Sequence, residues 1–221
     1  MRNRQYRNKL FIGILLFVAF VSVGYGRVSA QPLGYVAVKD VVAFRERFKK
    51  HSANILSIES SFRQEKILSA LTEKITATGK FYFKRSDRIR IEYLKPFSYV
   101  MVLNGDKMFV RDGQKESQIN VRSNKLFQQV NRIMIDCVQG TILESKDFNS
   151  RISENDNAFL LELNPVSKAL REFFSSITVT VDKKDYSAST LEMNEPSGDK
   201  TTIVFIDKKI NTNIQDAVFA L

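Results

Sequence analysis

Hydrophobic and polar residues alternate most regularly between Thr78 and Asp112, TGKFYFKRSDRIRIEYLKPFSYVMVLNGDKMFVRD. Arg88 to Tyr93 sets Ile89, Ile91 and Tyr93 on one side and Arg88, Arg90 and Glu92 on the other. A period of two is what a strand with one wet and one dry face produces. Lys80 to Lys84 puts Phe81 and Phe83 on one face. Phe97 to Leu103 is apolar on both faces and predicts a central strand. Asn104-Gly105 predicts a tight hairpin turn into Lys107 to Arg111. Pro96, Ser86-Asp87 and Asp112-Gly113 break the other joins. The pattern predicts an antiparallel meander whose dry face carries Phe81, Phe83, Ile89, Ile91, Tyr93, Tyr99, Met101 and Leu103. Arg85 shares that parity.

Helical spacing appears twice. Lys39 to Ser57 repeats Val41, Phe44, Phe48 and Ile55, with Asp40 placed in the first turn to suit the helix dipole. Lys125 to Val138 carries an apolar stripe of Leu126, Phe127, Val130, Ile133, Met134 and Cys137, with Ser123 or Asn124 as N-cap and Gly140 as terminator. An amphipathic helix inside a β-rich chain must cover a sheet face or plug a barrel mouth. It is either core packing or a movable cover.

The remaining runs predict strands. Ile58 to Leu68 is polar enough for an edge or rim position, and Leu71 to Ala77 is its hairpin partner. Glu116 to Val121, Phe148 to Ser153, Ala158 to Leu163, Ile177 to Val181, Thr190 to Met193 and Thr201 to Ile206 follow. A short helical turn at Ser167 to Phe174 presents Leu170, Phe173 and Phe174. Strands about ten residues apart predict a curved antiparallel sheet or barrel. The fold class is mainly β with some α: an open, incomplete barrel under a helical cover.

The first 30 residues change the picture of location. Arg2, Arg4, Arg7 and Lys9 precede an apolar run from Leu10 to Val23, and Val28-Ser29-Ala30 ends in small residues. These are the three parts of a cleavable secretory signal peptide, and the run falls short of the roughly 20 residues of a membrane span. Residues 31–221 form the mature domain, expected to be a monomer. The formal net charge of +10 contains five basic residues from the signal, leaving 29 basic against 24 acidic residues, or +5. Nucleic acid is a poor partner for an exported chain of that charge. Cys137 is the only cysteine, so no intramolecular disulfide forms, and it reads as a buried hydrophobe.

Candidate chemistry is sparse. One histidine, His51, does not supply a metal site or a triad, and no nucleophile-elbow, phosphate-loop or dinucleotide pattern occurs. The expectation is a protein that is not an enzyme and needs no metal or cofactor. A curved sheet with an apolar inner face is either filled as a core or left hollow for an apolar ligand.

Several short motifs then fall in order. Phe62-Arg63-Gln64-Glu65-Lys66 resembles the F-x-Q-x-K strand of the periplasmic outer-membrane lipoprotein carrier family (LolA-like). Gly79 to Arg85 is similar to its G-x-[LF]-x-[FV]-K-R segment. Arg88 to Tyr93 with Pro96 resembles R-x-R-W-x-Y-x-x-P, and Asn104-Gly105 to Phe109 resembles its D-G-x-x-[LV]-[WF] hairpin. Ser86 stands where the family has Pro, and Ile91 where it has Trp. The resemblance implies an open barrel whose cavity takes lipoprotein acyl chains, here lined by the eight dry-face residues above. It implies a lid helix containing Phe127, Val130, Ile133 and Met134, and a latch at Arg85 that bonds lid backbone. It further implies receipt of acylated lipoproteins from an inner-membrane ABC-type releasing complex and delivery to an outer-membrane acceptor. The alternative on the same fold is a non-carrier lipid-binding or envelope-sensing domain.

Overall fold

The computed structural model describes residues 34–220 apart from Thr72, Ser86 and 121–124; in the helix over 125–139, the side chains of 125–127, 129–131 and 134 also lie outside the description. The signal-peptide expectation and the Ser123 or Asn124 cap therefore fall on residues that are not described.

Among the described residues, twelve strands form one antiparallel sheet that does not close on itself. They are β1 (Val36–Ala37), β2 (Ser57–Leu68), β3 (Glu73–Lys84), β4 (Arg88–Lys95), β5 (Tyr99–Asn104), β6 (Lys107–Asp112), β7 (Lys115–Asn120), β8 (Phe148–Glu154), β9 (Ala158–Pro165), β10 (Ser176–Asp182), β11 (Ala188–Asn194) and β12 (Lys200–Ile210). Their order across the sheet is β1-β8-β9-β10-β11-β12-β2-β3-β4-β5-β6-β7. Neighbours in sequence pair as hairpins except at two places. The helix α1 (Val41–Ala53) carries the chain from β1 to β2, and α2 (Lys125–Gln139) carries it from β7 to β8. A sheet of this width curls under its own twist, and both helices lie on one face of it.

α1 begins because the Asp40 side chain accepts a hydrogen bond from the Ala43 N–H at 2.9 Å. Asp40 is thus the N-cap, one position before the first-turn role the sequence suggests. Phe44 and Phe48 lie one turn apart with rings stacked at 5.7 Å, and both are buried. α3 (Lys168–Arg171) is a single turn capped by Ser167, and it seats Leu170 in the core.

Two expectations for the strands are corrected. β2 is not an edge: it pairs along its whole length with β3 on one side and along most of it with β12 on the other. Its polar look has two sources. Arg63 and Glu65 lie on the outer face, while Gln64 and Lys66 point inward and find partners there. Glu73 to Ala77 and Lys80 to Lys84 are not separate runs but parts of β3, which passes through Gly79 without a turn, while Leu71 lies in the turn before it. Gly79 is where the register with β4 shifts. A Cβ there would sit 2.1 Å from the Glu92 carbonyl oxygen and 2.6 Å from the Phe62 ring, so only glycine lets the strands and the ring approach. The β5–β6 turn residues are Gly105 and Asp106, since Asn104 is the last strand residue and pairs with Lys107. β5 is central and buried on both faces, as its apolar run predicts.

Burial sorts into three clusters. The first packs α1 against β8, β9 and β10 through Phe44, Phe48, Leu161, Leu163, Ile177 and Val179. The second lies over the β2–β6 meander and contains Ile58, Phe62, Phe83, Ile89, Leu103 and Met108. The third is on the opposite face of β5, where Val100 and Val102 are covered by Ile214 and Phe219 of the C-terminal tail. Asp216 in that tail bonds Lys84 and Arg88, and Arg90 donates to the Val218 and Ala220 carbonyls.

Candidate functional site: the inner face beneath the helices

Register places the inner-face residues in rows across the sheet. One row runs Ile152, Leu161, Val179, Leu191, Ile203, Gln64 and Ala77 through successive strands. The two inner clusters are the ends of such rows. Between them the side chains are less covered: Phe81, Ile91, Leu191, Met193, Ile203 and Phe205 are all half-buried. Phe81 and Phe205 meet edge to face at 5.4 Å. These six residues form an apolar floor across β3, β4, β11 and β12.

α2 lies above the boundary of the two clusters. Ile133 and Cys137 pack on the α1 side, and Ile135 and Val138 pack on the meander side. Burial pushes the Cys137 thiol up to about 12, with the nearby Asp136 charge adding to the rise. The residue as a whole keeps partial exposure, but its thiol is sealed against the cluster. Ile133 therefore sits on a covering helix. Phe127, Val130 and Met134 are on the same helix by backbone, and their side chains are among those not described.

The eight dry-face residues are brought together in the meander cluster. Phe83, Ile89, Tyr93, Tyr99, Met101 and Leu103 are buried, while Phe81 and Ile91 are half-buried at its margin. The floor residues of β11 and β12 were not picked out by sequence reasoning. Their signal was present as Leu191 with Met193 and Ile203 with Phe205, two residues apart, but nothing in the sequence sets those strands opposite Phe62 and Phe81.

Arg85 follows β3 at the end of the sheet where α1 runs into β2. Its Nε donates to the Ile55 carbonyl at 2.9 Å and its Nη2 to the Ser52 carbonyl at 2.7 Å. Its backbone N–H donates to the Leu56 carbonyl at 2.8 Å. Arg85 thus grips the C-terminal end of α1, whereas the helix expected as lid is α2. The two helices meet at that spot. Gly140, with φ +73°, closes α2, and a Cβ on it would lie 2.5 Å from the Ser52 hydroxyl. Gln139 at the end of α2 donates to Asp87 in the β3–β4 turn at 3.0 Å.

Polar groups also reach the inner face. The Tyr93 hydroxyl donates to Gln64 Oε1 at 2.8 Å. Burial raises the Tyr93 phenol pKa above its ordinary value, the nearby Tyr99 adding to the rise. Burial, with the charge of Asp112, raises Tyr99 to about 12, so both phenols stay neutral. Among the described residues no group of three or more His, Cys, Asp or Glu is arranged to hold a metal ion, and no helix is long and apolar enough to cross a membrane.

The family model described as outer membrane lipoprotein carrier protein LolA matches residues 53–221. The chain belongs to the LolA family. It is 23% identical over 176 residues to an outer-membrane lipoprotein carrier protein of Chromohalobacter salexigens, covering 79% of this chain and 80% of that one. Among solved structures it is similar to a chain of the Pseudomonas aeruginosa MucA/MucB complex, at TM-score 0.50 and 10% identity, over 81% of this chain and 60% of that one. It is also similar to the LolA superfamily protein NE2245 of Nitrosomonas europaea, at TM-score 0.42 and 10% identity, over 80% and 97% of the two chains. At 10% identity the likeness to the MucA/MucB chain is one of fold alone.

Proposed function

We propose that this protein is a periplasmic carrier that shields the acyl chains of lipoproteins between the inner-face floor and α2. It receives acylated lipoproteins from an inner-membrane ABC-type releasing complex and passes them to an outer-membrane acceptor. The observation that supports this reading is the half-buried apolar band of Phe81, Ile91, Leu191, Met193, Ile203 and Phe205. Half-buried apolar side chains in adjacent strands offer carbon surface that a hydrocarbon chain can cover.

The energetics set what the carrier must do. An acyl chain exposed to water costs about 0.8 kcal/mol per methylene, so a sixteen-carbon chain costs about 12 kcal/mol. A cover made of one amphipathic helix and a few bonds from Arg85 shields such a chain without holding it irreversibly. The α1 end held by Arg85 abuts the α2 end at Gly140, so loosening one helix frees the other.

The test is purification from the native compartment followed by mass spectrometry of bound material, with lipoprotein location followed during depletion. Acylated lipoprotein bound to the protein, and lipoproteins stalled at the inner membrane after depletion, are the expected results. A stable protein partner with no lipid, and unchanged lipoprotein sorting, would replace the carrier by an envelope-sensing domain.

A further inference from the structure

The inner face is not uniform along the strands. At the Arg85 end it presents Ile58, Phe83, Ile89 and Leu103, all buried and apolar. At the other end, where β2 leaves the sheet and β12 enters it, two inward side chains carry charge. Lys66 shares the inner parity of Phe62 and Gln64, and its register partner is Thr201, which in turn pairs with Met193. Glu195 follows Met193 by two residues, where its N–H still bonds the Asp199 carbonyl at 2.9 Å. The Lys66 ammonium and the Glu195 carboxylate meet at 2.8 Å, each side chain only 13% exposed. The Gln64–Tyr93 bond lies one inward step along β2.

A buried ion pair adds little net stability, because both charges lose their water. Its placement on an otherwise greasy surface asks for another role. This end is also the open one. Ile75, the register partner of Lys66, is 37% exposed, and Phe97, whose ring stacks on Tyr93 at 5.7 Å, is 39% exposed. The opposite end is shut by the C-termini of α1 and α2. An amphiphile entering this face meets carbon at the closed end and polar groups at the mouth.

We infer that the Lys66–Glu195 pair, with Gln64, is a subsite for the polar linkage of the bound lipid, holding its ester and amide groups at the mouth while the hydrocarbon points toward Arg85. This rests on the carrier reading and adds a direction and a chemical preference to it. The ammonium has hydrogens left for ester carbonyl oxygens, and the carboxylate has lone pairs left for an amide N–H. Because each charge is already matched, the subsite selects a neutral linkage over a phosphate.

The experiment compares wild type with the double substitution Lys66→Met, Glu195→Gln, which removes the ion pair at nearly constant volume and leaves no buried charge unpaired. Thermal unfolding confirms that the variant is folded. Binding is measured for two probes: a synthetic N-acylated, S-diacylglyceryl-cysteine peptide with a neutral peptide part, and diphenylhexatriene, an apolar dye without a polar linkage. The expected result is an affinity for the lipopeptide weakened about tenfold, with dye binding unchanged. In addition, a photoreactive group at the acyl terminus should label peptides around Phe83, Ile89 and Leu103. Equal lipopeptide affinity in the two proteins, labelling instead around Ile75 and Thr201, or tighter wild-type binding of phosphatidate than of the lipopeptide would each overturn the inference while leaving the carrier reading standing. Failure of wild type to bind either probe would remove both. If the double variant does not fold, Lys66→Gln alone is measured against the same two probes, with the same expected loss confined to the lipopeptide.

Discussion

Replacing Arg85 by Leu tests the proposal that its grip on the end of α1 also holds the covering helix α2. The guanidinium donates two hydrogen bonds, at 2.9 and 2.7 Å, to carbonyls at the end of α1. Bonds from a charged donor contribute roughly 1.5 to 3 kcal/mol each, which bounds the pair at about 3 to 6 kcal/mol. Arg85 is half-exposed, and Ser52 O keeps the bond from Ile55 N–H, so solvent and backbone recover part of that. About 2 kcal/mol remains as the preference for the closed arrangement, or about 30-fold in the opening equilibrium. Cys137 supplies the readout. It is the only cysteine in the chain, it lies on α2, and its thiol is sealed and pushed up to about 12. Alkylation therefore proceeds through the open state, and with fast opening its rate follows the open population. The expected result is a labelling rate about 30-fold higher in Arg85→Leu, and intermediate in Arg85→Lys, whose ammonium does not reproduce the guanidinium fork. A rate within twofold of wild type, with α1 intact by circular dichroism, would show that Arg85 does not hold α2 closed, and the path through Ser52 and Gly140 would be wrong.

Two further outcomes follow from the fold. Gly79→Ala drives a methyl onto the Glu92 carbonyl and the Phe62 ring, and the carbonyl is fixed in the β3–β4 ladder. Overpacking of this kind costs about 3 kcal/mol, so the melting temperature should fall by about 10 °C, and an unchanged melting temperature would refute the close approach. The tail should detach in acid. The Asp216 carboxyl is held below its ordinary range first by the hydrogen bond from Lys84, with Arg88 adding to it. Its contribution is therefore complete above the unfolded carboxylate pKa, near 4, and is lost as pH falls through the lower folded value. Hydrogen-exchange protection of the Val218 and Ala220 amides, corrected for intrinsic rates, should drop between pH 6 and pH 3. Asp216→Asn should show the lower protection at both values.

Local chemistry determined a good part of this molecule. The alternation in Arg88 to Tyr93 and the double-sided apolar run before Asn104 set β4 and β5. A strand repeats every two residues whatever it pairs with, and a strand apolar on both faces has to be interior. Helical spacing and Gly140 set α2 in the same way, because its turn geometry is local. The grouping of Phe81, Ile89, Tyr93 and Met101 on one face was also legible, since hairpins keep neighbouring strands in contact. What only the tertiary structure decided is long-range. β2 became interior because β12, some 140 residues later, pairs with its outer side; nothing in the polar string FRQEK signals that. Arg85 found the end of α1 rather than α2, because hydrogen-bond partners depend on where the crossover helices come to rest. The joining of Lys66 to Glu195 required the β11–β12 hairpin to fold back beside β2. The β2–β12 pairing and the Lys66–Glu195 contact close loops of more than a hundred residues, and the Arg85 contacts close loops of 30 and 33, none of which a local pattern encodes.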